Sequence, residues 1–217
     1  MIELIQKSGI CGYLIILCSI VSLTYIIERF IAFRKVRLKD PEILLRIIDS
    51  LGKGTIDNMI PELEKSNSPV VKVVYEIVTR HVPDMGCCTQ SREAIEKTIN
   101  YVGEREVREM ERHLPILLTI GQLTPLLGLL GTVLGMIKAF MVIQQVGGKV
   151  NATVLAGGIW EAMLTTAMGL AVAIPTVLAY SFFTYRLNRI VGLMNDIGNK
   201  LIESFEKAGF FHHHGGH

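Results

Sequence analysis

Three windows of this chain contain no Asp, Glu, Lys or Arg: Ser8–Ile27, His113–Ile137 and Ala162–Tyr185. Each reaches the roughly 20 residues that a helix needs to cross bilayer hydrocarbon. They set the class, an all-α integral membrane protein with three transmembrane helices. The chain is 19% charged, below the roughly 25% of an ordinary soluble domain, and the charges it has are crowded outside these windows. A net charge of +2 is too near neutral to point to nucleic acid. The first window reads as a retained helix rather than a cleaved leader. Its apolar part is too long, and Glu28-Arg29 stands where a small-residue cleavage site would be needed.

The spans fix an order. Residues 1–7 form a short external N-terminus, 8–28 the first span and 29–112 a helical cytoplasmic domain. Residues 113–143 form the second span, 144–153 an external loop, 154–185 the third span and 186–217 a cytoplasmic helix and tail. Arg34, Lys35, Arg37 and Lys39 follow span one, and Arg186 and Arg189 follow span three. Basic residues hard against a membrane exit mark the cytoplasmic side, so the expected topology is N-out and C-in. Lys138, near the far end of span two, is expected to snorkel to the headgroups.

The insertion carries helix punctuation. Asp40-Pro41 and Ser68-Pro69 each place a capping residue before a proline at the first helical position. Leu44, Leu45, Ile47 and Ile48 recur with helical period, and Gly52 closes that segment. Val70, Val71, Val73, Val74 and Ile77 are apolar enough for a second helix, although β-branching leaves a strand open. From Ser91 a mixed-charge helix is expected to continue into span two, loosened near Pro115 and Pro125. Cys11 and Cys18 read as small hydrophobic residues of span one, and Cys87 and Cys88 as free thiols. The ending FFHHHGGH is open to two readings, a native metal-binding tract or an appended tag; no metal site or cofactor is expected in the body of the chain.

The chemistry concentrates in Val154–Tyr185, where Glu161 is the one charged residue. A carboxylate in a spanning helix is costly and is by default a functional-site hypothesis. At about 100° per residue, Gly158, Glu161, Ala162, Thr165, Thr166, Gly169, Ala173 and Thr176 share one arc, with Leu164, Met168, Leu170, Ile174 and Leu178 opposite. Span two repeats the design with Gly121, Pro125, Gly128, Thr132, Gly135 and Ala139 in one stripe, and Gly131 with Gly135 makes a GxxxG match. Two readings stand side by side. The glycines, with Pro125 and Pro175, serve tight helix packing, Glu161 is a solvated cap near the outer interface, and the threonines bond their own helix. Alternatively Thr132, Glu161, Thr165 and Thr166 line a hydrated path.

Thr124–Phe140, TPLLGLLGTVLGMIKAF, and Gly157–Tyr180, GGIWEAMLTTAMGLAVAIPTVLAY, resemble the two signature spans of the MotA/TolQ/ExbB proton-channel family. The TolQ/ExbB branch is the more similar, since it shares the three-span layout with a cytoplasmic insertion. The resemblance implies a homopentamer around two copies of a single-span partner of the ExbD/TolR type, whose membrane aspartate carries the proton. Family positions in the GTV and GIxEALxxTAxGL patterns match Thr132, Glu161 and Thr166. Trp160 and Thr165 depart from the alanines common there. The implied function is the pore-forming subunit of a proton-driven motor in the bacterial inner membrane, working through a TonB/TolA-like transducer. A non-conducting membrane scaffold is the alternative. GGKV lacks the upstream glycine and the Ser/Thr of a phosphate loop, and no nucleophile–base motif stands out, so no enzymatic activity is expected.

Overall fold

The computed structural model describes residues 9–35, 63, 68–81, 92–145 and 152–207. They form five helices: α1 (Gly9–Lys35), α2 (Pro69–His81), α3 (Arg92–Glu111), α4 (Leu114–Gln145) and α5 (Ala152–Lys207). The Asp40-Pro41 cap, the helix over 44–52, Cys87-Cys88, most of the loop 144–153 and the His-rich ending lie outside the described residues. Three helices are long and apolar enough to cross a membrane. The chain divides into two compact units, residues 1–30 with 113–184 and residues 31–112 with 185–217.

The first unit packs α1 up to Phe30, α4, and α5 up to Thr184. Cys11, Ile15, Ser22 and Arg29 of α1 are buried, at intervals of four, seven and seven that mark one helical face. Ile10, Tyr13, Leu17, Ile20, Leu23 and Ile27 on the remainder are exposed. Exposed side chains this apolar suit lipid, which demands no polar surface. Both described cysteines, Cys11 and Cys18, are free. α4 runs through Pro125 without interruption, and α5 through Pro175.

The second unit explains the insertion. Val70, Val73, Val74, Ile77 and Val78 are each at most 1% exposed, and that pattern is a helical face. β-branching therefore does not make a strand here. The backbone N–H of Lys72 donates to the Ser68 carbonyl at 3.0 Å, so the helix begins where Ser68-Pro69 announces it. α2 packs on α3, and the Lys72 ammonium reaches the buried Glu106 carboxylate at 2.9 Å. From α5, Leu187, Ile190, Met194, Ile197, Leu201 and Phe205 are buried at helical spacing. α3 stops at Glu111 and α4 starts at Leu114, so the run from the mixed-charge helix into span two is interrupted only by a turn at Arg112-His113, the loosening expected near Pro115. Pro115 accounts for the break, since its ring and missing N–H oppose helix in the turn before it.

Candidate functional site

Small residues bring α4 and α5 of the first unit together. They run antiparallel, with Thr124 level with Gly169, Gly128 with Thr166, and Gly135 with Ala162. A Cβ on Gly169 would stand 2.6 Å from the Thr124 carbonyl oxygen, and one on Gly135 would stand 3.0 Å from Ala162 Cβ. Gly121 closes on Val177, and Gly131 on the Thr165 side chain. The approach needs glycine at these positions, as close helix contacts in membranes generally do.

The contact face of α4 is not quite the stripe read from sequence. Gly121, Thr124, Gly128, Gly131, Gly135 and Ala139 are buried, while Pro125 and Thr132 are half-buried at one edge. On α5 the buried set is Ala162, Thr165, Gly169, Ala173 and Thr176; Pro175 is exposed. Thr165 is 1% exposed, and its hydroxyl donates to the Glu161 carbonyl at 3.0 Å. Gly131 opposite leaves room for this side chain, so Thr165 is part of the helix contact.

Thr132 and Thr166 sit differently. The Thr166 hydroxyl donates across the contact to the Gly128 carbonyl at 2.9 Å. Thr132, one turn beyond Gly128, donates to the Leu129 carbonyl at 2.6 Å. Each hydroxyl retains acceptor capacity for water or another donor. Both residues are half-buried along the same edge of the α4–α5 pair.

Glu161 lies on the other edge. Five residues separate it from Thr166, or about 140° around the helix, and the contact face falls between them. Its carboxylate instead meets Lys138 of α4, Nζ to Oε1 at 3.9 Å. The start of α1 joins them: a Cβ on Gly9 would lie 3.6 Å from Lys138 Nζ and 3.8 Å from Glu161 Oε1. Gly9 has a φ of +60°, a left-handed conformation that favours glycine. The single arc drawn from sequence therefore holds two edges with different neighbours.

The opposite end of this unit carries a second polar cluster that the sequence reading missed. Arg29 is 6% exposed, with its Nη2 2.9 Å from His113 Nδ1 and 3.2 Å from Glu28 Oε1. Glu28 Oε2 also lies 3.0 Å from His113 Nδ1, and the Tyr25 ring centroid is 4.8 Å from that of His113. That single nitrogen can accept from Arg29 or donate to Glu28, but not both at once. From Gly9 to Glu28, α1 rises about 28 Å at 1.5 Å per residue, close to the roughly 30 Å of bilayer hydrocarbon. The two clusters thus bracket one apolar slab. The signal was present in sequence: Lys138 ends one charge-free window and Glu161 precedes another.

In the second unit an open cleft of about 580 Å³ is lined by polar residues including Arg92, Glu96, Asn100, Asn195 and Glu206. No group of three or more metal-ligating side chains occurs among the described residues.

Residues 65–196 match the sequence model of the MotA/TolQ/ExbB proton channel family, well over half of the chain. The chain belongs to this family. It is 30% identical to a putative biopolymer transport protein ExbB homolog of Methanothermobacter thermautotrophicus, across 86% of this chain and 64% of that protein. It is 38% identical to the Tol-Pal system protein TolQ of Haemophilus influenzae, across 49% of this chain and 45% of that protein. With the biopolymer transport protein exbB1 of Vibrio cholerae the identity is 28%, across 81% of this chain and 75% of that protein. The match thus spans less than two thirds of the first two relatives. Within the family it is the TolQ/ExbB branch that these relatives represent, and α4 and α5 up to Thr184 carry its two signature spans.

Proposed function

We propose that this chain is the pore-forming subunit of a proton-motive-force-driven motor in the inner membrane, with its N-terminus outside and C-terminus inside. Five copies surround two copies of a one-span ExbD/TolR-like partner, and proton flow along the Thr132–Thr166 edge moves that partner. A TonB/TolA-like transducer carries the work toward the outer membrane, for transport or envelope maintenance. The chain itself makes and breaks no covalent bonds.

One observation carries this reading. The α4–α5 pair leaves an edge of half-buried hydroxyls, while the windows containing Thr132 and Thr166 hold no carboxylate at all. Hydroxyls can relay a proton through hydrogen bonds, but a group that holds one at mid-depth must titrate, and that group then belongs to another chain. The membrane potential supplies about 2.3 kcal/mol per charge per 100 mV, enough to drive a stepwise rearrangement when the proton enters from one side. Relatives named for biopolymer transport and for the Tol-Pal system support the same reading.

Proton flux into vesicles tests it, with and without the partner, for wild type, Thr132→Ala and Thr166→Ala. Partner-dependent flux that falls in both variants is expected. Unchanged flux in both would overturn their assignment, and no flux under any condition would leave a scaffold.

A further inference from the structure

Glu161 was the most conspicuous residue of the sequence, and its neighbours in the structure give it a different role from the threonines. Its side chain is 30% exposed and that of Lys138 is 66% exposed, with their charged atoms 3.9 Å apart. The pair stands where the second charge-free window ends and just before the third begins. Gly9, with no side chain, lets the start of α1 close on both partners. Three helices therefore meet at this one ion pair, on the edge of α4–α5 away from Thr132 and Thr166.

We infer that Lys138 is the counter-ion that positions Glu161, and that the pair fixes the start of α1 against α4 and α5 at one border of the apolar slab. Glu161 then acts as a fixed anion of this junction and not as a relay for the proton. A carboxylate beside hydrocarbon is costly without a partner, and Lys138 provides one from the adjacent helix. An aliphatic stem lets its ammonium stay at the slab border. The consequence is specific: what matters at these two positions is one charge of each sign, not which helix carries the carboxylate. This rests on the proposed function only in its flux readout.

The test uses the full chain with Lys138→Gln, Glu161→Gln, Lys138→Arg, and the exchange variant combining Lys138→Glu with Glu161→Lys. Two properties are read: the thermal-unfolding midpoint of the detergent-solubilised protein, and partner-dependent proton flux in vesicles with its pH profile. Each Gln variant is expected to lower the midpoint and to reduce flux several-fold. The Arg and exchange variants are expected to restore both, with the pH profile of wild type. Additive midpoint losses in the exchange variant would overturn the pairing. Restored midpoints with flux still abolished in the exchange variant would overturn the positioning role and make Glu161 itself the relay. If wild type with partner conducts nothing, the functional reading fails, and the midpoints still decide the pair.

Discussion

At the scale of single residues, the glycines of the α4–α5 contact do unlike jobs, and their surroundings rank them. A methyl group added at Gly169 would strike the Thr124 carbonyl oxygen at 2.6 Å. Backbone cannot swing aside, so the helices must separate. Overpacking of this kind costs about 1–3 kcal/mol. Gly192 has nothing within 4 Å of an added Cβ and lies inside α5, where Ala is preferred over Gly by roughly 0.5–1 kcal/mol. Gly169→Ala should therefore lower the thermal midpoint in detergent, and Gly192→Ala should hold or raise it. The reverse order would mean that the helices do not meet through Gly169. Thr165 illustrates the same point from the other side: a hydroxyl that looks available on a helical projection is sealed by the glycine opposite.

At the scale of elements, much was legible and the remainder has a physical cause. The three charge-free windows announced α1, α4 and the membrane part of α5, because hydrocarbon tolerates little else. Ser68-Pro69 announced the start of α2, and the spacing of Val70, Val73, Val74 and Ile77 carries its buried face despite the β-branched residues. Helical period also found the small faces. It could not divide them, since which edge a residue occupies depends on the neighbour's direction and register. Thr132 and Thr166 share an edge, whereas Glu161 and Lys138 share the other, only because α4 and α5 pair antiparallel at this register. The Arg29–Glu28–His113 cluster was hidden for the same reason, joining residues 84 apart in sequence.

The end of α5 adds a pH-dependent expectation. The Lys207 ammonium, one turn on, hydrogen-bonds Glu203 at 2.7 Å and holds its carboxyl below the ordinary carboxylate range, with direct charge attraction adding to the effect. A lowered value means that the pair supports this helix end above the ordinary range and ceases to as pH falls through the lowered one. A carbon-detected titration of Glu203 should move up toward the ordinary range in Lys207→Ala. An unchanged titration would show that Lys207 is not the cause. Arg92 is the complementary case, its guanidinium held above its ordinary value by the Glu96 hydrogen bond first and the Glu206 charge second.

At the scale of the whole molecule, the proposed proton path turns on what the described part of the first unit does not offer. Between the slab borders its first unit offers hydroxyls, glycines and apolar side chains, and the charges it carries there, Lys138 and Glu161 at one border and Glu28 and Arg29 at the other, are paired within the chain. A pathway built from such parts alone has no titrating station at depth. The direct measurement is proton flux under an imposed potential in three preparations: this chain alone, this chain with the proposed one-span partner, and the pair with the proposed partner's membrane carboxylate neutralised. If the titrating station belongs to the partner, the second conducts and the first and third are proton-tight. Equal conduction by the chain alone would contradict it.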